Sequence, residues 1–366
     1  MNSSIYEFAD LPTPKPGLRP GTVQAAGRPR RSDSRRLTSR RARIGVIYNP
    51  RSHRNQGQDL ALGERHHVMV ATPEKRSQIA AALADFASGG IDYLIINGGD
   101  GTVRDVLTCG YAVFGDEWPL LAVLPKGKTN ALNVDLGAPA DWTLRDAIDA
   151  FTGGTTVTRR PLEVAALDGR SAPLRGFILG AGAYTLGVRA GQDAHSFGFF
   201  DSLAVGMTTA WGVLQVVFGT DRNPWRRGVG MDLRLLPEGR NLPHSGHGDP
   251  ARREVLLAST LRRLPLGIKP FGPSSDPARD PARDGVPARD GLRFAVMDRP
   301  GRRLMACLPA ILAGWQPRWL ERAGLHQGAA DAFEMIVDDQ FILDGEAFPA
   351  GSYLVSQGPE LTFVTA

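Results

Sequence analysis

Tyr93-Leu94-Ile95-Ile96-Asn97-Gly98-Gly99-Asp100-Gly101-Thr102-Val103 is the stretch on which the fold turns. Its first half is a short apolar run of the kind a strand buried on both faces shows, and glycines stop it. Beyond them Val103, Val106 and Leu107 begin a helix. A buried strand feeding a helix through a polar loop is the repeating unit of a parallel sheet, whose ligands sit at the carboxyl ends of the strands. The same unit recurs outward from here. Ile44 to Tyr48 reads as a strand stopped by Asn49-Pro50, and His67 to Val70 as a second. Glu74 to Ala87 places Ile79, Ala82, Leu83 and Phe86 at helical spacing before Gly89-Gly90. Leu120 to Leu124 is a further strand, closed by Pro125-Lys126-Gly127-Lys128-Thr129-Asn130 and followed by another helix. A mainly parallel, doubly wound α/β domain is predicted over 44–153, with its Gly-rich polar loops all at strand ends.

The pattern changes after Gly154. Thr155 to Leu167, Leu174 to Leu179, Met231 to Leu236, Glu254 to Thr260, Leu292 to Met297, Phe333 to Val337, Phe341 to Leu343 and Ser352 to Val355 are short strand-like runs between turns. They predict a β-rich, sandwich-like second domain over 154–366. Phe197 to Phe218 interrupts it as a strongly apolar segment. Asp201 leaves it about 16 apolar-leaning residues, short of the ~20 that span a bilayer, so a buried or membrane-facing helix is expected. The stretch 272–290 holds Pro-Ala-Arg-Asp three times and reads as a low-complexity surface insertion.

Composition sets the outer bounds. With 366 residues and 42% hydrophobic content the chain has material for two domains, and two cysteines are too few for a disulfide framework or a thiolate metal cage. Nothing here argues for secretion, and a cytoplasmic protein is expected. The net charge of +5 is local: residues 1–43 hold ten cations against three acids, an excess of seven, which leaves −2 for the remainder. With Pro, Gly and Ser interleaved and no apolar period, 1–43 reads as a disordered basic tail suited to an anionic membrane surface. A slightly acidic folded part speaks against a nucleic-acid-binding domain. The histidine pairs, His66-His67 and His244-x-x-His247, lie in polar surroundings and read as surface residues.

Gly98-Gly99-Asp100-Gly101-Thr102 carries the chemistry. Glycines let backbone N–H groups approach phosphate oxygens without a Cβ in the way, and the helix N-terminus adds partial positive charge. Asp100 at the centre can orient Mg2+ or a hydroxyl. The Rossmann fingerprint fails at Val103, and the Walker pattern fails in the later loop because Ala122 stands where a glycine is required. That loop still offers Lys126, Lys128, Thr129 and Asn130 at a strand end.

Taken in order, these residues resemble the diacylglycerol kinase catalytic domain family, which includes bacterial diacylglycerol kinases and the sphingosine and ceramide kinases. Asn49-Pro50-Arg51-Ser52 resembles the family's first nucleotide loop, Gly98 to Thr102 its glycine-rich motif, and Pro125 to Asn130 its third loop. Thr72 stands at the place of a nucleotide-contacting threonine. Leu343-Asp344-Gly345-Glu346 resembles the segment whose glutamate deprotonates the lipid hydroxyl, and Asp290-Gly291-x-Arg293 resembles a structural Mg2+ turn in which Asp290 gives a carboxylate and Leu292 a carbonyl. Val103-Arg104-Asp105 replaces the usual Leu-Asn-Glu, Lys128 a Thr or Ser, Ala131 a frequent Asp, and His53 a Gly.

The resemblance implies an α/β nucleotide-binding domain followed by a β-sandwich-like domain, and ATP-dependent phosphoryl transfer to a diacylglycerol or sphingoid-type hydroxyl. ATP and Mg2+ are the cofactors it implies. Asn49, Pro50, Ser52, Thr72, Gly98, Gly99, Gly101, Thr102, Gly127, Lys128, Thr129 and Asn130 would hold the nucleotide. Asp100 would act through Mg2+, and Glu346 would be the base, reaching into the cleft between the domains. The partners expected are nucleotide, lipid acceptor, an anionic membrane at the inner face through the basic tail, and a second copy in a homodimer. An NAD kinase shares the glycine-rich motif but fits Asn49-Pro50-x-Ser52 and Asp344-Gly345-Glu346 less well. A non-enzymatic lipid- or nucleotide-binding regulator is the contrasting class, supported by Arg104, Lys128 and Ala131.

Overall fold

A computed structural model describes residues 42–55, 68–188, 228–272 and 291–366. The basic tail up to residue 41, His66 and His67, the apolar segment 197–218 and the Pro-Ala-Arg-Asp repeats with Asp290 lie outside the described residues. The chain divides into two units, neither of them one continuous segment. In the first are described residues 42–161, 170–176 and 358–366, and in the second 162–169 and 177–357.

The first unit is built on β1 (Ile44–Tyr48), β2 (Val68–Ala71), β3 (Tyr93–Gly98), β4 (Leu120–Pro125), β5 (Thr155–Arg159) and β19 (Leu361–Thr365), ordered β2-β1-β3-β4-β19-β5. β1 pairs in parallel with β2 and β3, β4 in parallel with β3 and β19, and β5 closes the edge antiparallel to β19. β1 and β3 are buried at every position, which matches their unbroken apolar runs. The helices are α1 (Arg76–Ser88), α2 (Asp100–Phe114), α3 (Ala131–Leu136) and α4 (Leu144–Gly153). Thr143 and Asp146 form a capping box that starts α4, whose Leu144 and Ala147 close over Ile44, Val46, Tyr93, Ile95 and Val364. On α1 the buried Ile79, Leu83 and Phe86 are the helical-spacing residues read above. Arg43 is fixed to this unit: its N–H donates to Asp92 at 3.0 Å and its guanidinium to the Gly89 carbonyl at 2.6 Å.

The second unit is made of two antiparallel sheets. One runs β10 (Arg240–Asn241), β9 (Val229–Leu236), β15 (Ala332–Val337), β18 (Gly351–Gln357) and β6 (Leu162–Ala166), with β11 (Arg252–Arg253) also on β9. The other runs β14 (Leu325–Ala330), β13 (Leu292–Met297), β12 (Val255–Ser259), β8 (Ile178–Gly182), β16 (Phe341–Leu343) and β17 (Glu346–Phe348). Leu233, Leu235 and Phe333 from the first meet Leu256, Phe294 and Val296 from the second, with the Phe294 and Phe333 rings edge-on at 6.4 Å. The expected α/β-then-β-sandwich class is what the structure shows.

Three details differ from the sequence reading. The run Thr155 to Leu167 is two strands, broken at Arg160-Pro161, where proline has no N–H for a ladder. A helix, α5 (Arg302–Leu312), stands among the strands and buries Leu304, Met305 and Ile311 against Met297, Leu320 and Leu325. Residues 361–365, at the far end of the sequence, supply β19 to the first unit's sheet, and β7 (Leu174–Gly176) also belongs to that unit. Among the described residues no helix is long and apolar enough to cross a membrane.

Candidate functional site

Strand order reverses between β1 and β3, since β2 lies on one side of β1 and β3, then β4, on the other. A doubly wound sheet opens a crevice at such a point, outside the carboxyl ends of the strands. The loops after β1, β3 and β4 meet there. Asn49 N–H donates to the Asn97 carbonyl at 3.0 Å, and Asn49 Nδ2 donates to Thr102 Oγ1 at 2.8 Å, tying the first loop to the glycine loop. Asn49 Oδ1 accepts from Arg51 N–H, and the Ser52 N–H donates to the Asn49 carbonyl, so Asn49 also shapes its own turn around Pro50. Asn55 Nδ2 adds a bond to the Asn49 carbonyl at 2.7 Å. Arg54 N–H donates to the Lys126 carbonyl, linking first and third loops.

The glycine loop and the third loop touch through their backbones. A Cβ on Gly99 would stand 2.7 Å from Gly127 Cα, and a Cβ on Gly127 would stand 2.7 Å from Gly99 Cα. Neither glycine can carry a side chain without separating the loops. Gly98 is packed under the Thr102 side chain, whereas a Cβ on Gly101 would find nothing nearer than Arg104 at 3.8 Å. Gly99 precedes α2 in an extended conformation and gives it no side-chain cap of the kind Thr143 gives α4, while the Thr102 and Val103 N–H groups donate to the Gly99 carbonyl at 2.9 and 3.1 Å. An anion seated here would meet the positive end of the helix.

Asp100 faces the third loop. Burial pushes its carboxyl above its ordinary value, while backbone N–H groups of Ala131, Leu132 and Asn130 and its own oppose the shift. Asn130, buried with φ 51°, closes the third loop on itself: Oδ1 accepts from Gly127 N–H at 2.7 Å and Nδ2 donates to the Gly127 carbonyl at 2.9 Å. Lys128 and Thr129 are exposed, and Thr72 is exposed just past β2 on the same sheet edge. The departures at 104 and 105 form an ion-pair network: Asp105 Oδ1 accepts from Arg76 Nε at 3.0 Å and from Arg104 Nη2 at 2.9 Å.

In the second unit, Asp344 and Gly345 take positive φ, 45° and 82°, in the tight turn between β16 and β17. The Asp344 carboxylate accepts from Phe177 N–H and Ile178 N–H at 2.9 Å each, and Asp344 N–H donates to the Ile178 carbonyl at 2.9 Å. The turn is thus pinned to the start of β8, and half-buried Glu346 opens β17 directly opposite Leu343. Leu292 is buried in the β13 ladder opposite Ala330.

Sequence reasoning missed a buried polar centre in this unit. Asp298 is wholly buried, and its Oδ2 accepts from Ser245 N–H at 2.8 Å, Ser245 Oγ–H at 2.7 Å and His326 Nε2 at 3.0 Å, with Arg253 on Oδ1. Burial alone would raise its carboxyl, but hydrogen bonds from His326, from the Ser245 N–H and hydroxyl and from Arg253 hold it far below the usual carboxylate range. His244, read as a surface residue, lies half-buried here with Nε2 3.7 Å from Asp298 Oδ1, whereas His247 is exposed.

Residues 43–164 match the family model described as the diacylglycerol kinase catalytic domain. No curated protein matches the chain. Among solved structures, a "putative diacylglycerol kinase" from Bacillus anthracis str. Sterne is similar with a TM-score of 0.58 at 14% identity, covering 89% of this chain and 98% of its own. A structure described as diacylglycerol kinases from the same strain gives 0.54 at 16%, covering 89% and 97%. At these identities the likeness establishes the fold. The family match lies over residues 43–164 and agrees with the resemblance read from the motifs there.

Proposed function

We propose that the protein transfers the γ-phosphoryl group of ATP to the hydroxyl of a lipid of diacylglycerol or sphingoid type. The observation that carries this reading is the mutual contact of three loops around an α2 N-terminus that no side chain caps. Gly98, Gly99, Gly101 and Thr102 would receive the phosphates, with Asn49, Pro50, Ser52, Thr72, Gly127, Thr129 and Asn130 shaping the walls for the nucleotide. Lys126 and Lys128 would offset the charge that builds on the transferred group. Transfer of this kind depends mainly on positioning and electrostatic stabilisation. The acceptor oxygen forms a bond to the γ-phosphorus as the bond to the β-bridging oxygen breaks, ADP leaves, and Glu346 takes the acceptor's proton. Asp344 would hold the turn that presents Glu346.

Among the described residues no three His, Cys, Asp or Glu side chains gather as a metal cage. A Mg2+ that keeps several waters and binds chiefly to nucleotide phosphates needs no such cage, and the glycine loop with one carboxylate, Asp100, fits it. Held there by Asp100, it would supply positive charge to offset that of the phosphates. A second, structural Mg2+ at Asp290 and the Leu292 carbonyl belongs to the same proposal.

Labelled ATP and Mg2+ incubated with diacylglycerol, sphingosine and ceramide, followed by separation of products, tests the reading. A labelled lipid is expected, with transfer lost at least about a hundredfold in folded Glu346→Gln and Asp100→Asn proteins. Full transfer rates in both variants would remove the two assignments, transfer to NAD alone would replace the acceptor class, and ATP binding without turnover on any acceptor would leave a nucleotide-binding regulator.

A further inference from the structure

The turn Pro265–Gly267, between β12 and β13 in the second unit, carries a side chain that neither packing nor backbone explains. Leu266 is 98% exposed and takes φ 60°, a conformation in which Gly, Asn or Asp is at ease and leucine is not. Ile268 beside it is exposed as well. Lys269 N–H donates to the Leu312 carbonyl at 2.7 Å, which seats this turn against the end of α5 and the segment that carries Trp315, itself 48% exposed. Trp315 meets Trp319 edge-on at 6.1 Å, and the Arg303 guanidinium lies over the Trp319 ring at 4.5 Å.

Cations outnumber carboxylates in the stretches that carry these apolar groups, with Glu321 the first carboxylate after Trp319. The stretches 262–271 and 302–319 hold six cations, Arg262, Arg263, Lys269, Arg302, Arg303 and Arg318, and no carboxylate. An exposed leucine and isoleucine, indoles with an apolar body and a polar N–H, and long cationic side chains form the combination that enters the headgroup boundary of a negatively charged bilayer. A second copy of the chain fits poorly, because a two-fold axis through the patch would set like charges against each other.

We propose that the surface formed by Leu266, Ile268, Lys269, Trp315 and Arg303 docks the protein on an anionic lipid bilayer. This inference stands apart from the phosphoryl-transfer reading, and its test contains no transfer step. The whole chain is sedimented with vesicles of phosphatidylcholine, and of phosphatidylcholine with phosphatidylglycerol, beside Leu266→Asp, Trp315→Ser and Lys269→Glu/Arg303→Glu variants. The basic tail is common to all four proteins, so a difference between them reports on the patch. Asp suits the φ of position 266 and nothing packs on the side chain there, so Leu266→Asp keeps the fold, checked by an unchanged Tm. Salt-sensitive binding to the phosphatidylglycerol vesicles is expected, weakened about tenfold by Leu266→Asp and by the charge-reversal pair. Equal binding by all four proteins, equal binding to both kinds of vesicle, or loss in Leu266→Asp of self-association alone would overturn the proposal.

Discussion

Gly99 and Gly101 sit two positions apart in one loop and answer to different constraints. Gly99 is fixed by the backbone of Gly127, so Gly99→Ala must push the two loops apart. A loss of about 1–3 kcal/mol in stability is expected, with nucleotide binding reduced in step. Gly101 has room for a methyl group and lies in the first turn of α2, so Gly101→Ala is expected to keep or slightly raise the Tm. If phosphate comes as close to this turn as proposed, the same methyl group weakens ATP binding. Thermal melts paired with nucleotide titrations of both variants check the contrast, and unchanged ATP affinity in Gly101→Ala would contradict the cradle. Asp298 gives a prediction in pH. Its folded carboxyl lies below the unfolded value, so its contribution is fully present above the ordinary carboxylate range and is lost as pH falls below about 4. Asp298→Asn, which leaves Arg253 without its buried counter-charge, is expected to cost about 3 kcal/mol or more at neutral pH and to flatten the acid limb of a Tm-against-pH curve.

At the scale of elements, β19 has the strongest leverage. It lies between β4 and β5, and Thr365 Oγ1 and Thr155 Oγ1 are 2.8 Å apart at the far end of its ladder with β5. Removing residues 358–366 takes away the middle partner of both strands and bares an edge of β4, an invitation to pair with other chains. Such a chain is expected to lose cooperative melting of the first unit and to aggregate on size exclusion. A soluble protein with the full Tm would show the strand to be dispensable. The element scale also shows what one sequence can tell. β1, β3, β4 and their loops were legible because an unbroken apolar run ending in Asn-Pro, Gly-Gly or Pro-Lys-Gly is a local signal. The sheet that Leu361 to Thr365 joins was not, since its partners β4 and β5 lie about 200 residues or more earlier in the sequence and are chosen by long-range packing. The helix Arg302–Leu312 was hidden for a related reason: Pro309 and a short buried stripe blur its period.

For the molecule as a whole, the motifs that match the kinase domain were readable in order, and their meeting was not. Asn49 and Thr102 are 53 positions apart, and the contact of Gly99 with Gly127 follows only from strand order. The Asp298 centre draws on Ser245, Arg253 and His326, whose intervals of 53, 45 and 28 residues match no motif and whose types are unremarkable singly. Asp105 shows the reverse case. A position that departs from the family pattern is understood once Arg76 and Arg104 are seen to hold its carboxylate.

The position of β19 has a further consequence for how the protein comes into being. Thr155 and Thr365 lie 210 residues apart, and the intervening chain includes nearly all of the second unit. A ribosome emits β1 to β5 long before the strand that joins β4 to β5, so the first sheet waits, open along one side, while some 200 residues are synthesised at about 5–20 per second. During those tens of seconds the loops after β1, β3 and β4 already exist in sequence on a scaffold that lacks its closing strand. The order of translation therefore makes completion of the first unit's sheet depend on prior synthesis of the segment that carries Glu346.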